Sequence, residues 1–123
     1  MHTEECPCCK RHVYQQHMTS HHWKPRSMGG NNETTMRLCI TCHAFLHKVI
    51  PLSDVINYKT LESLEENWLF KSYLDFIRTK KHPNPYKVKK LIRSIFSPFV
   101  IKNYITKVKD KNPKKQHPLS IVP

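Results

Sequence analysis

The sequence predicts an α+β fold: a small strand–strand–loop–helix module closed by a structural zinc site, followed by an α-helical C-terminal extension. Three observations carry this. Two Cys-x2-Cys pairs, Cys6/Cys9 and Cys39/Cys42, frame the first third of the chain. Between them a His21-His22 doublet runs into a Pro25-Arg26-Ser27-x-Gly29-Gly30 turn, and His43 and His47 follow, four residues apart. Past residue 60, apolar residues recur at helical spacing.

The zinc expectation rests on ligand number. Two knuckles supply four thiolates, the set of a closed tetrahedral zinc site. Cys8 is a spare thiol, able to replace Cys6 or Cys9 but with poorer spacing. The odd total of five cysteines and the paired spacing favour metal over disulfides. The N-terminus, Met-His-Thr-Glu-Glu, has no basic segment leading into an apolar one, so no secretory signal is read there. No apolar run approaches a membrane span. The expectation is a cytoplasmic protein of a prokaryotic or viral host cell, neither secreted nor membrane-bound.

Within residues 12–24, Val13, Tyr14 and Trp23 suit a short hairpin leading to the histidine pair. Residues 25–32 read as loop, with Gly29 and Gly30 supplying positive φ. Thr41 is placed to cap a helix whose apolar side is Ala44, Phe45, Leu46 and Val49, and Pro51 ends it. Positions i and i+4 share a helix face, so His43 and His47 point the same way, toward the doublet. So small a core needs metal ligation to supply much of its folding free energy.

The second segment carries Leu61, Leu64, Trp68, Leu69, Tyr73, Phe76 and Ile77 at helical spacing across residues 60–79, with Glu62, Glu65, Glu66 and Lys71 opposite. That stripe reads as core. His82-Pro83-Asn84-Pro85 breaks it. Beyond, Leu91, Ile92, Ile95 and Phe96, then Ile101, Tyr104, Ile105 and Val108, suggest two basic helices broken at Ser97-Pro98. The predicted division is residues 1–50, a module with zinc knuckles; 51–86, a helical extension packed on it; and 87–123, a basic tail, helical and then disordered.

Charge follows the same division. The 123 residues carry a net +12, yet residues 80–116 hold twelve Lys or Arg against one acid, Asp110, and residues 1–79 hold nine against eight. A basic block of that size suits a polyanion, with nucleic acid the commonest. The other histidines (His2, His12, His17, His82 and His117) read as ordinary surface or packed residues.

Taken together, His21-His22-x2-Pro25-Arg26-Ser27-x-Gly29-Gly30 and Cys39-x2-Cys42-His43-x3-His47 resemble an HNH endonuclease, one of the ββα-metal or His-Me finger nucleases. Cys6-x2-Cys9 is similar to the zinc-stapled branch of that family. The resemblance is tight over residues 6–47 and looser to Ile77; the basic third has no counterpart in it. It implies a metal-dependent hydrolase of DNA phosphodiester bonds. In that reading His22 is the general base that takes a proton from the attacking water. His21 and His43 are ligands of a catalytic divalent ion (magnesium, manganese, nickel or zinc). His47 is the third ligand or else a phosphate contact. Lys24 and Arg26 hold phosphate oxygens of the substrate. The family's central loop-bracing Asn falls on Thr34 here, beside Thr35, and Asn31 or Asn32 is the alternative brace. That departure brings weakly active members into view. The alternative is a non-catalytic, zinc-stabilised nucleic-acid-binding protein, a degenerate nuclease. The two part at His22, whose loss binding alone would survive.

Overall fold

A computed structural model describes residues 2–107. Two antiparallel hairpins, one helix, and a helical layer over them make up the architecture. Strands β1 (Thr3–Glu5) and β2 (His12–Tyr14) pair with Glu4 opposite Val13. The first knuckle is the turn between them. The Cys6 amide donates to the Arg11 carbonyl at 2.8 Å, the Lys10 amide donates back to the Cys6 carbonyl at 2.8 Å, and Lys10 takes a φ of 65° to close the bend.

The second hairpin departs from the expected order. Strand β3 (Met18–His22) pairs across the loop with β4 (Thr35–Cys39), so the chain runs strand, loop, strand, helix. Five-residue β4 has little alternation of its own; β3 supplies its register, Met18 opposite Cys39 and His22 opposite Thr35. Helix α1 (Ile40–Val49) follows without a connecting loop. Its N-cap is Cys39, whose sulfur accepts from the Cys42 amide at 3.5 Å, rather than Thr41. Thr41 is buried in the first turn, where its hydroxyl accepts from the Tyr86 amide at 3.1 Å.

The stripe over residues 60–79 forms two helices, α2 (Leu61–Leu64) and α3 (Trp68–Ile77). Asn67 separates them because its side-chain oxygen accepts from the amides of Leu69 and Phe70, capping α3. Leu69, Phe70, Tyr73, Leu74 and Ile77 are the buried face; Trp68, read as core, is 52% exposed. The Phe45 ring of α1 stacks on Tyr73 at 4.2 Å between centroids and 15° between planes.

Helix α4 (Val88–Ile95) and α5 (Pro98–Val100), which runs on into a π-helical stretch (Ile101–Ile105), come from the segment read as a tail. Both pack against the module: Leu91, Ile92, Phe96 and Ile105 are buried in the common core. Charge does not prevent this, because Lys89, Lys90, Arg93 and Lys102 sit on exposed positions of the same segment. Val108, His117 and the disorder expected over residues 110–123 fall outside the described residues. Among the described residues no helix is long and apolar enough to cross a membrane.

Candidate metal centres

The four knuckle cysteines converge. Cys6, Cys9, Cys39 and Cys42 are all buried, with their sulfurs mutually within 4.8 Å. Cys6 Sγ lies 4.0 Å from Cys42 Sγ, and Cys9 Sγ lies 3.8 Å from Cys39 Sγ. Tetrahedral zinc with Zn–S of ~2.3 Å places its sulfurs about 3.8 Å apart, so the spacing fits a structural metal such as zinc. Cys8 is buried too, but stands outside this set.

The thiols are electrostatically bound to one another. Hydrogen bonds from Cys39 and Cys42 draw Cys6 down to about 6, and hold Cys9 below the ordinary thiol range as well. Burial pushes the Cys42 thiol up. Four thiolates around a dication leave a net negative charge, and donors surround it. The amide of Cys39 donates to Cys6 Sγ at 3.4 Å, and Arg11 Nη2 donates to Cys39 Sγ at 3.8 Å. Burial works against the charge of Arg11, but the sulfurs of Cys9 and Cys39 more than offset it, raising its pKa. Arg11 Nη1 also donates to the carbonyls of His82 (2.7 Å) and Asn84 (3.4 Å), tying the cluster to the segment that leads into α4.

About the imidazoles, β3 and α1 cooperate. His21, His43 and His47 present ring nitrogens within 4.8 Å of one another, and their ring centroids are 4.9 to 5.3 Å apart. Strand alternation puts Thr19 and His21 on the face toward α1. His21 is fully buried, His43 half-buried and His47 exposed, beside a shallow depression lined also by Ile40 and Ala44. The sequence-read trio is therefore assembled from two elements, open on one side.

Protonation favours ligation. Burial first, then the neighbouring imidazoles of His43, His47 and His22, lowers His21 to about 3. Burial and the imidazoles of His47 and His22 lower His43 to about 4. Both are neutral at pH 7. Both ring nitrogens of His21 are buried without a hydrogen-bond partner, as is Nε2 of His22. A buried unsatisfied nitrogen costs about 1–3 kcal/mol. A cation between His21, His43 and His47 would engage such a lone pair, so the residues present fit a divalent ion. His43 Nδ1 lies 2.8 Å from Thr19 Oγ1, and that hydroxyl donates to the Leu38 carbonyl at 2.9 Å.

The loop after His22 is held by its own backbone. Gly29 has a φ of 94°, as expected. Gly30 is needed for a different reason than positive φ: a Cβ there would stand 1.7 Å from the Lys24 carbonyl oxygen. Thr34 bonds within the loop, donating to the Asn31 carbonyl and accepting from the Asn31 amide, each at 2.9 Å. Asn32 takes part through its carbonyl, which accepts from Thr35 Oγ1 at 2.9 Å. Lys24 is half-buried over the Gly29 turn, and Arg26 is exposed at the start of that same turn.

Three contributors escape a reading by spacing: Arg11, Thr19, and Tyr73, whose hydroxyl donates to Cys42 Sγ at 3.0 Å. Comparison with known proteins adds no identification: no family model, curated protein or solved structure matches the chain.

Proposed function

We propose that the protein is a metal-dependent HNH-type endonuclease, stapled by one zinc on Cys6, Cys9, Cys39 and Cys42, that hydrolyses DNA phosphodiester bonds. The observation that carries the reading is the His21, His43 and His47 trio, three imidazoles with nitrogens within 4.8 Å of one another, two of them (His21 and His43) held neutral at pH 7, beside His22. A purely structural zinc module needs no second cluster of this kind.

In this reading His21, His43 and His47 would hold a divalent ion. When bound, such an ion supplies a Lewis acid that neutralises charge growing on the scissile phosphate and its leaving oxygen. Among magnesium, manganese, nickel and zinc, a three-imidazole set favours the nitrogen-preferring nickel and zinc. His22, next to His21 on β3, accepts the proton of the attacking water. Lys24 and Arg26, two and four residues on, take phosphate oxygens. The cations of α4, with Lys102 of the π-helical stretch, grip the DNA backbone.

The test is supercoiled plasmid incubated with zinc-loaded protein and each ion in turn, wild type beside His22→Ala. Cleavage should fall by about 10²–10⁴-fold in the variant, with zinc content and DNA affinity retained. Wild-type nicking rates in His22→Ala would remove the base assignment. Wild type that binds DNA but cuts with no ion would leave the non-catalytic binding protein as the answer.

A further inference from the structure

We propose that Thr19 is a positioning residue that fixes the tautomer of His43, so that Nε2 is the atom His43 offers to a divalent ion. The proposal rests on the reading of His21, His43 and His47 as an ion site, and it follows from counting hydrogens. A threonine hydroxyl carries one. Thr19 Oγ1 stands 2.9 Å from the main-chain oxygen of Leu38, which can only accept, so the hydroxyl hydrogen is spent there. The same Oγ1 stands 2.8 Å from His43 Nδ1 and must therefore accept, which places the imidazole hydrogen on Nδ1. In a neutral imidazole the other nitrogen is then bare. Nδ1 is closed to a cation by this bond, and Nε2 carries the available lone pair.

The surrounding structure makes the arrangement a fixed one. Thr19 pairs directly with Leu38 in the β3–β4 register, so the carbonyl that takes the hydroxyl hydrogen belongs to the cross-strand neighbour. Threonine is β-branched and stiff at χ1 on a strand, which holds Oγ1 in place. Thr19 and His21 are two residues apart on one face of β3, so one strand supplies both a ligand and the residue that orients the next ligand. The relay from imidazole N–H to hydroxyl to carbonyl also raises electron density on the free nitrogen, as outer hydrogen bonds to ligating histidines commonly do. His21 has no such partner on either ring nitrogen, so the route that orients His43 does not serve His21.

Two measurements test this on the full-length, zinc-loaded chain. Long-range ¹H–¹⁵N correlation at pH 7, without added ion, reads the tautomer of each histidine. The expected pattern for His43 is a protonated Nδ1 and an unprotonated Nε2; the reverse overturns the proposal. Nickel titration calorimetry then compares wild type with Thr19→Val, which keeps the β-branch and removes the hydroxyl, and Thr19→Ser, which keeps the hydroxyl. Nickel affinity should fall about 10–100-fold in Thr19→Val and stay within a few-fold of wild type in Thr19→Ser. Equal affinity in Thr19→Val with a folded amide spectrum overturns the positioning role. Should Thr19→Val fail to fold, the wild-type tautomer and the serine variant decide it. Wild type that takes up no nickel, yet shows the Nδ1-protonated ring, sinks the ion site while leaving the Thr19–His43 bond standing.

Discussion

Tyr73 Oη donates to Cys42 Sγ at 3.0 Å, joining the middle of α3 to the second knuckle through a buried hydrogen bond. Burial first, then the neighbouring Cys42 sulfur, pushes the phenol well above its usual range, so it keeps its proton and can only serve as donor to a thiolate. The same ring stacks on Phe45. Tyr73→Phe should therefore preserve the packing and lose the bond alone. The expected cost is about 1–3 kcal/mol in urea denaturation, together with faster zinc transfer to a chelator. An unchanged midpoint and an unchanged release rate would show that the sulfur does not need this donor.

The two glycines of the loop should differ in how they fail. At Gly29 an added Cβ meets nothing nearer than 3.6 Å, and the penalty is the left-handed φ alone, about 1–2 kcal/mol. At Gly30 it would collide with the Lys24 main chain, which cannot swing away as a side chain can. Gly30→Ala should lower thermal stability more than Gly29→Ala and displace the loop that begins at His22. The reverse order in a thermal melt would contradict the described turn.

Exposed cations on α4 permit a clean probe of DNA binding. Cutting the chain before α4 would strip Leu91, Ile92, Phe96 and Ile105 from the core, so side-chain neutralisation is the better tool. Converting Lys89, Lys90 and Arg93 together to Gln should weaken binding. The slope of log affinity against log salt should shrink by up to about 2.7, since each phosphate contact contributes ~0.9. Zinc content should not change. An unaltered slope would move the phosphate grip elsewhere on the molecule.

Acid should destabilise the fold partly through His21. Its folded pKa is about 3, against an ordinary value of 6.5, so below 6.5 the unfolded chain binds a proton that the folded chain refuses. Stability from this group is complete above about pH 6.5 and drains as pH falls toward 3. His21→Leu, compared with wild type in zinc-loaded protein without added ion, should flatten the slope of stability against pH between 5.5 and 6.5. The change is up to about 1.4 kcal/mol per pH unit for one proton. Parallel slopes would mean that His21 is not held neutral.

The residues of the two clusters were legible because their spacing is local: two knuckles, a doublet, and an i, i+4 pair each announce themselves within a few positions. Their supports were not. Thr19 meets His43 across 24 positions, Arg11 meets Cys39 across 28, and Tyr73 meets Cys42 across 31. Such contacts depend on how elements pack, which periodicity does not encode. Tyr73 was visible as a core residue, but its hydroxyl was silent. The same limit explains Thr41, a good capping residue by type, which yields the cap to Cys39 and serves Tyr86 instead. It also explains the basic segment, whose charge advertised a tail while its apolar residues were completing the core.

Arg11 ties the first knuckle to the segment that precedes α4. Its guanidinium reaches the His82 carbonyl across 71 positions while touching the sulfur of Cys39. A chimera that exchanged the basic segment for another, or moved the knuckles and histidines onto a new carrier, would leave a buried cation facing missing carbonyls. Any successful transplant of this module must carry along residues 82–84, or replace Arg11 at the same time.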